Sequence, residues 1–161
     1  MPVVIGVVLL IAGCGGIGLM AFTRLINRVR LLTEFSFLCD RLASEIGFRM
    51  TPLAELPQRI PSLTQFWEEM GYRPYGEESY AEAWKRATDS LDVSKLDRSL
   101  IGSIGEVLGQ YDAENQVRSL GVIRKQLELS LAAARDNRQK YGRLYGLLGL
   151  LGGLLLAVIL I

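Results

Sequence analysis

The sequence predicts an all-α protein: one apolar helix at each end of the chain, bracketing a polar bundle of about six helices. Three observations predict it. Residues 2–22 and 144–161 carry no charge, and each run is long enough for a membrane-crossing helix. All 18 Lys/Arg and 17 Asp/Glu fall between Arg24 and Arg143, so the mean hydropathy of +0.25 averages two unlike materials. Within 24–143, apolar residues recur every three or four positions, as on one face of a helix.

The first segment, PVVIGVVLLIAGCGGIGLMAF, holds Gly13, Gly15 and Gly18 in the G-x-G-x-x-G spacing of a dinucleotide-binding turn. That turn needs a strand before it, a helix after it and an acidic residue about twenty positions on, an offset near that of Asp40. Yet the apolar run continues to Phe22, where such a helix would turn a polar face to water. An uncharged run of this length fits a helix crossing about 30 Å of hydrocarbon, roughly 20 residues. Glycine is common in such helices because small residues let a second helix approach. Ile11 to Cys14 also reads as a lipoprotein cleavage box. Against that stands the absence of any Lys or Arg before Cys14, since a signal peptide begins basic, and the same absence weighs against an ordinary secretory signal.

Leu25, Val29, Leu32, Phe35, Cys39, Leu42 and Ile46 form one helical stripe, which makes FSFLCD helix and removes the second strand a dinucleotide fold needs. Gly47 is the expected C′ stop. Thr51 is the expected N-cap of the next piece, with Pro52 at its first helical position and Pro57 keeping it short or bent. Ser62 with Gln65 predicts a capping box for SLTQFWEEM, which Gly71 closes. GYRPYG reads as a turn or short loop. Beyond it, Tyr80, Ala83, Trp84, Ala87 and Leu91 keep helical spacing, with Trp84 a core residue rather than a binding one.

In the helix expected over 93–108, Val93, Leu96, Leu100, Ile104, Leu108 and Tyr111 cover one side, while Gly102, Gly105 and Gly109 line the other. An interior glycine costs about 1 kcal/mol relative to alanine, so the pair predicts a groove where a neighbouring helix packs closely. Gly109 reads more simply as the C′ stop, with Asp112 the next N-cap. No Lys-Ser or Lys-Thr pair follows these glycines, which argues against a phosphate loop.

From Ala113 to Tyr141 no strong breaker occurs, and Val117, Leu120, Leu127, Leu131 and Ala134 preserve a stripe that Arg124 interrupts. Gly142 and Gly146 can bend the chain; nothing forces a stop before the second span, and the helix then forms a rod of about 70 Å. Gly149, Gly152 and Gly153 of that span can meet the small-residue face of Gly13, Gly15, Gly16 and Gly18.

Basic residues flank both spans on their inner sides: Arg24, Arg28 and Arg30 after the first; Arg135, Arg138, Lys140 and Arg143 before the second. The positive-inside rule places the domain of 24–143 in the cytoplasm and both termini across the membrane, with Tyr141 and Tyr145 at the headgroups. Nucleic acid is not an expected partner, because the net charge is only +1. Enzymatic chemistry is not expected either. There is no histidine, Cys14 and Cys39 have neither disulfide nor metal spacing, and Glu68-Glu69 and Glu77-Glu78 are adjacent residues facing different directions. No cofactor and no metal is called for.

The order of LASEIGFRMTPL, YAEAWKRA, IGEVLGQYDAENQ, the basic QKYGRLYGLLG and an apolar tail resembles the stage III sporulation protein AB family over nearly the whole chain. The most specific positions are Glu45-Ile46, Thr51-Pro52-Leu53, Ala83-Trp84, Gly105, Leu108, Gly109 and Asp112. Ile104 stands where that family usually has Phe, and Tyr111 where it usually has Ser. The resemblance implies a non-enzymatic membrane platform in the apparatus joining mother cell and forespore, multi-pass, with its middle domain on the mother-cell side. That domain is then similar to those of type II secretion F, or pilus platform, proteins. The partners it implies are a cytoplasmic secretion ATPase, stage III sporulation protein AA, other proteins of the same channel and the lipid bilayer. The alternative is a helical membrane adaptor that recruits or senses a different membrane complex.

Overall fold

A computed structural model describes the backbone of residues 2–109 and 112–160, and the side chains of 20–109 and 112–142. Among the described residues the chain is all-helical: α1 (Pro2–Arg49), a 3-10 turn (Leu53–Glu55), α2 (Leu56–Arg59), α3 (Thr64–Met70), α4 (Tyr80–Asp89), α5 (Lys95–Val107) and α6 (Ala113–Leu160). Two compact units divide it: the bundle, 31–131, and a stem of 1–30 with 132–161. Among the described residues no helix is long and apolar enough to cross a membrane. Of the two expected spans only the side chains of Met20, Ala21 and Phe22 are described, so the packing expected of Gly13, Gly15, Gly18, Gly149, Gly152 and Gly153, and the side chain of Arg143, lie outside the described side chains.

In the bundle, α1 buries Leu32, Phe35, Leu38, Cys39, Leu42 and Ile46. The sequence stripe is recovered, widened by Leu38. Gly47 does not end the helix, which runs on to Arg49 before Met50 turns left-handed at φ +51°. Its role is proximity: a Cβ at Gly47 would stand 3.2 Å from Val117 Cγ2 of α6. Thr51 likewise faces backward, toward α1, rather than capping the 3-10 turn. Its amide donates to the Glu45 carbonyl (3.2 Å) and its hydroxyl to the Glu45 carboxylate (2.8 Å). Pro52, with no side-chain cap, precedes the 3-10 turn.

The Ser62–Gln65 capping box does not form. Leu63, left-handed at φ +62°, takes the N-cap place of α3 without a side-chain bond. Instead the Ile60 and Ser62 carbonyls both accept from Trp67 Nε1, at 2.9 and 2.8 Å, so a buried indole dictates the turn. Gly71 closes α3 at φ +51°. The capping box of this region lies at α4, where Ser79 Oγ accepts from the Glu82 amide and Glu82 accepts from the Ser79 amide.

On α5 the buried face is Asp97, Ile101, Ile104, Gly105 and Leu108, rotated from the stripe read in sequence. Leu96 is 65% exposed. The spacing admitted either side, and packing on α4 selected the one carrying Gly105. On the bundle part of α6, Leu120, Ile123, Leu127 and Leu131 are buried. Arg124 interrupts the stripe by bonding outward, to Asp40 of α1 at 2.8 Å and to Glu128 at 2.9 Å.

Candidate functional site

The bundle is organised by aromatic residues around Trp84, which is fully buried. Phe66 of α3 meets Trp84 edge-on, with ring centroids 4.9 Å apart, and Trp67 does so at 5.8 Å. Phe35 of α1 meets Phe66 at 5.2 Å, and Tyr80 stacks on Trp84 at 6.1 Å. Such pairs contribute about 0.5–1.5 kcal/mol each beyond their burial. The polar edge of Trp84 is also satisfied: Nε1 donates to the Ile101 carbonyl of α5 at 2.9 Å.

That bond brings two of the residues singled out in sequence together. Gly105, one turn on from Ile101, lies under the Trp84 side chain so closely that any Cβ would overlap it. Gly102 does nothing comparable, since a Cβ there meets no described atom within 4 Å. Gly109 adopts φ +83° beyond the end of α5 and leads toward Asp112, whose carbonyl accepts from the Gln116 amide as α6 begins.

Two polar devices that sequence reasoning missed hold the helices in place. Arg86 of α4 donates to the Glu69 and Met70 carbonyls at the end of α3 (2.7 and 2.8 Å), where the helix macrodipole favours a cation. Glu78 orients it through two bonds at 3.1 and 2.9 Å, and this contact holds the Glu78 carboxyl below its usual range. Asp97 of α5, fully buried, accepts from Ser94 Oγ at 2.7 Å and from Ser130 Oγ of α6 at 2.6 Å. The Ser-x-x-Asp spacing of Ser94 and Asp97 was the available signal for that cap; Ser130 had none.

Little here resembles reactive chemistry. Burial, and then the Asp40 charge, raise the Cys39 thiol to about 12, while Arg124 opposes the rise. Burial also raises the Tyr80 phenol well above its ordinary value. Among the described residues no group of three His, Cys, Asp or Glu could hold a metal.

What the bundle does present is an open groove between α5 and α6, about 410 Å³, lined by Ser103, Glu106, Val107, Ser119, Val122 and Gln126, with Ile123 at its floor. Val122 is 54% exposed, and Leu129, two turns further along the same face of α6, is 73% exposed. The shape suits contact with a protein surface better than enclosure of a small molecule.

In the stem, α1 and α6 approach closely at one level: a Cβ on Gly142 would stand 3.1 Å from the Phe22 ring. Of the basic residues expected to flank the membrane, Arg24, Arg28, Arg30, Arg135, Arg138 and Lys140 are described, and Lys140 pairs with Asp136 at 2.8 Å.

Residues 3–161 match the family model described as stage III sporulation protein AB, which is not a known enzyme family. No curated protein and no solved structure matches the chain.

Proposed function

The chain belongs to the stage III sporulation protein AB family, which gives it a role in stage III of sporulation, and we propose that it performs that role as a non-enzymatic membrane platform. In this reading, the charge-free segments at 2–22 and 144–161 anchor it in the membrane around the forespore. The middle domain then lies on the mother-cell side, both termini lie opposite, and the bundle offers its surface to a cytoplasmic secretion ATPase. Type II secretion F proteins use their helical domains in this way, and the analogy is one of architecture.

The observation that carries the reading is an all-helical unit, 31–131, whose first and last helices each continue into an uncharged end of the chain. Such a unit transmits force or position between a bilayer and a partner, and needs no cofactor to do so. Its core supports that use: Trp84 ties α3, α4 and α5 together, and Phe66 extends the cluster to Phe35 of α1.

Tagged chain recovered from solubilised membranes of sporulating cells tests the reading. A platform brings down the secretion ATPase, stage III sporulation protein AA, and other proteins of the channel. Recovery of a different membrane complex would favour an adaptor that recruits or senses it. Single-cysteine labelling near residue 2, at Ser44 and near residue 161 tests the orientation, and labelling of Ser44→Cys from outside intact cells would overturn it.

A further inference from the structure

Charge is divided between the two units in a way the net +1 conceals. The stem, 1–30 with 132–161, holds seven of the 18 basic residues and one of the 17 acidic ones, a balance of +6. The bundle, 31–131, holds 11 basic and 16 acidic residues, a balance of −5.

Within the stem the cations are also concentrated in space. The approach of Gly142 to Phe22 fixes the level at which α1 and α6 run side by side, and buried Val29 and Ala134 lie further along the same two helices. Residues 24–30 therefore run beside 134–140 over about 9 Å of helix axis. Six cations, Arg24, Arg28, Arg30, Arg135, Arg138 and Lys140, share this short collar with a single carboxylate, Asp136. Arg24, Arg30, Arg135, Arg138 and Lys140 are exposed and Arg28 is partly so. Exposed Met20 and Tyr141 adjoin the collar on the side toward the uncharged ends.

Counting Glu34, one turn beyond Arg30, the collar still carries a balance of +4 whatever its side chains pair with, and like charges gathered at one level repel one another. A layer of anions at fixed depth relieves that repulsion. We propose that the collar binds anionic phospholipid headgroups and that the protein selects anionic over zwitterionic lipid around its stem. This rests on the membrane reading and adds to it the class of lipid. Orientation by the positive-inside rule needs only the sign of the flanking charge, whereas lipid selection needs cations from both helices at one level.

The test reconstitutes the purified full chain into vesicles of phosphatidylcholine alone and of phosphatidylcholine with phosphatidylglycerol. The lipid that stays with the protein through detergent extraction is then quantified. The expected result is incorporation into both, with retained phosphatidylglycerol enriched about threefold or more over the bulk ratio. Arg24→Gln, Arg28→Gln, Arg138→Gln and Lys140→Gln together should return the ratio to bulk, and high salt should do the same to the unaltered chain. The combined Arg24→Lys, Arg28→Lys and Arg138→Lys variant should keep the enrichment.

Incorporation into both vesicles with a bulk lipid ratio overturns the collar and leaves the membrane spans standing. Flotation with anionic vesicles alone, reversed by salt, overturns the spans and leaves the collar standing. Displacement of the lipid by inorganic phosphate, but not by chloride at equal ionic strength, marks a free-anion site and overturns the proposal.

Discussion

Gly105 stands against Trp84 with no room for a side chain: a Cβ built on it would overlap Cγ, Cδ1 and Cβ of the tryptophan. Alanine there must displace a ring held by aromatic neighbours and by its bond to Ile101. Overpacking costs about 1–3 kcal/mol, and overlap with three atoms of a held tryptophan puts this site toward the upper end, above the gain in helix propensity of roughly 1 kcal/mol. Gly105→Ala is therefore expected to lower the melting temperature, while Gly102→Ala, facing open space, leaves it unchanged or raises it. Thermal denaturation by circular dichroism checks both, and equal effects would refute the assignment of close packing to Gly105 alone.

The Asp97–Ser130 bond crosses from α5 to α6 inside the bundle, so losing one partner leaves a buried polar atom less satisfied. Ser130→Ala is expected to destabilise by about 1–3 kcal/mol. A double-mutant cycle with Asp97→Asn should show coupling of about 0.5–3 kcal/mol in denaturant unfolding. Additive effects would mean that the two side chains do not work as a pair.

Cys39 is expected to resist aqueous thiol reagents in the native chain at pH 8 and to react at once in denaturant. Its thiol is raised from 9.0 to about 12, and burial is the largest cause. The folded state thus favours the neutral thiol. That contribution to stability is fully present below pH 9 and is lost as pH rises from 9 toward 12. Cys39→Val should flatten the fall across that window in pH-dependent melting. Rapid native labelling at pH 8 would contradict the burial.

Arg86 reaches two carbonyls at the end of α3 with a fork that lysine lacks. Arg86→Lys is expected to lower the melting temperature nearly as far as Arg86→Ala, and Glu78→Gln to lower it less. The Glu78 carboxyl is held below its ordinary value of 4.5, so its contribution is present above that pH and is lost as pH falls through the lower folded value. A full rescue by lysine would show that charge alone matters there.

Periodicity identified the helices wherever one side of a segment was plainly apolar. Leu32, Phe35, Cys39, Leu42 and Ile46 are all buried, as are Tyr80, Ala83, Trp84 and Ala87. It failed on α5, where Leu96 and Leu100 offered a second apolar side and only the fit of Gly105 under Trp84 chose between them. Capping chemistry read from spacing failed at Ser62 because Leu63, left-handed at φ +62°, takes the N-cap place of α3 and leaves Ser62 one residue too early, its carbonyl turned to Trp67. At Ser79, which itself stands at the N-cap of α4 in extended conformation with Glu82 three residues on, the capping box forms.

By itself the sequence determined the helical class, the confinement of every charge to 24–143 and the family. These depend on composition and local period, which a chain carries whatever its tertiary arrangement. Tertiary structure alone decided which face of α5 is buried, that Gly47 and Gly105 serve close approach while Gly102 does not, and that Asp97 reaches Ser130. It also gathered the basic residues of both ends into one collar. Each of these depends on two segments far apart in the chain meeting at a given register, and no local pattern encodes a register between distant helices.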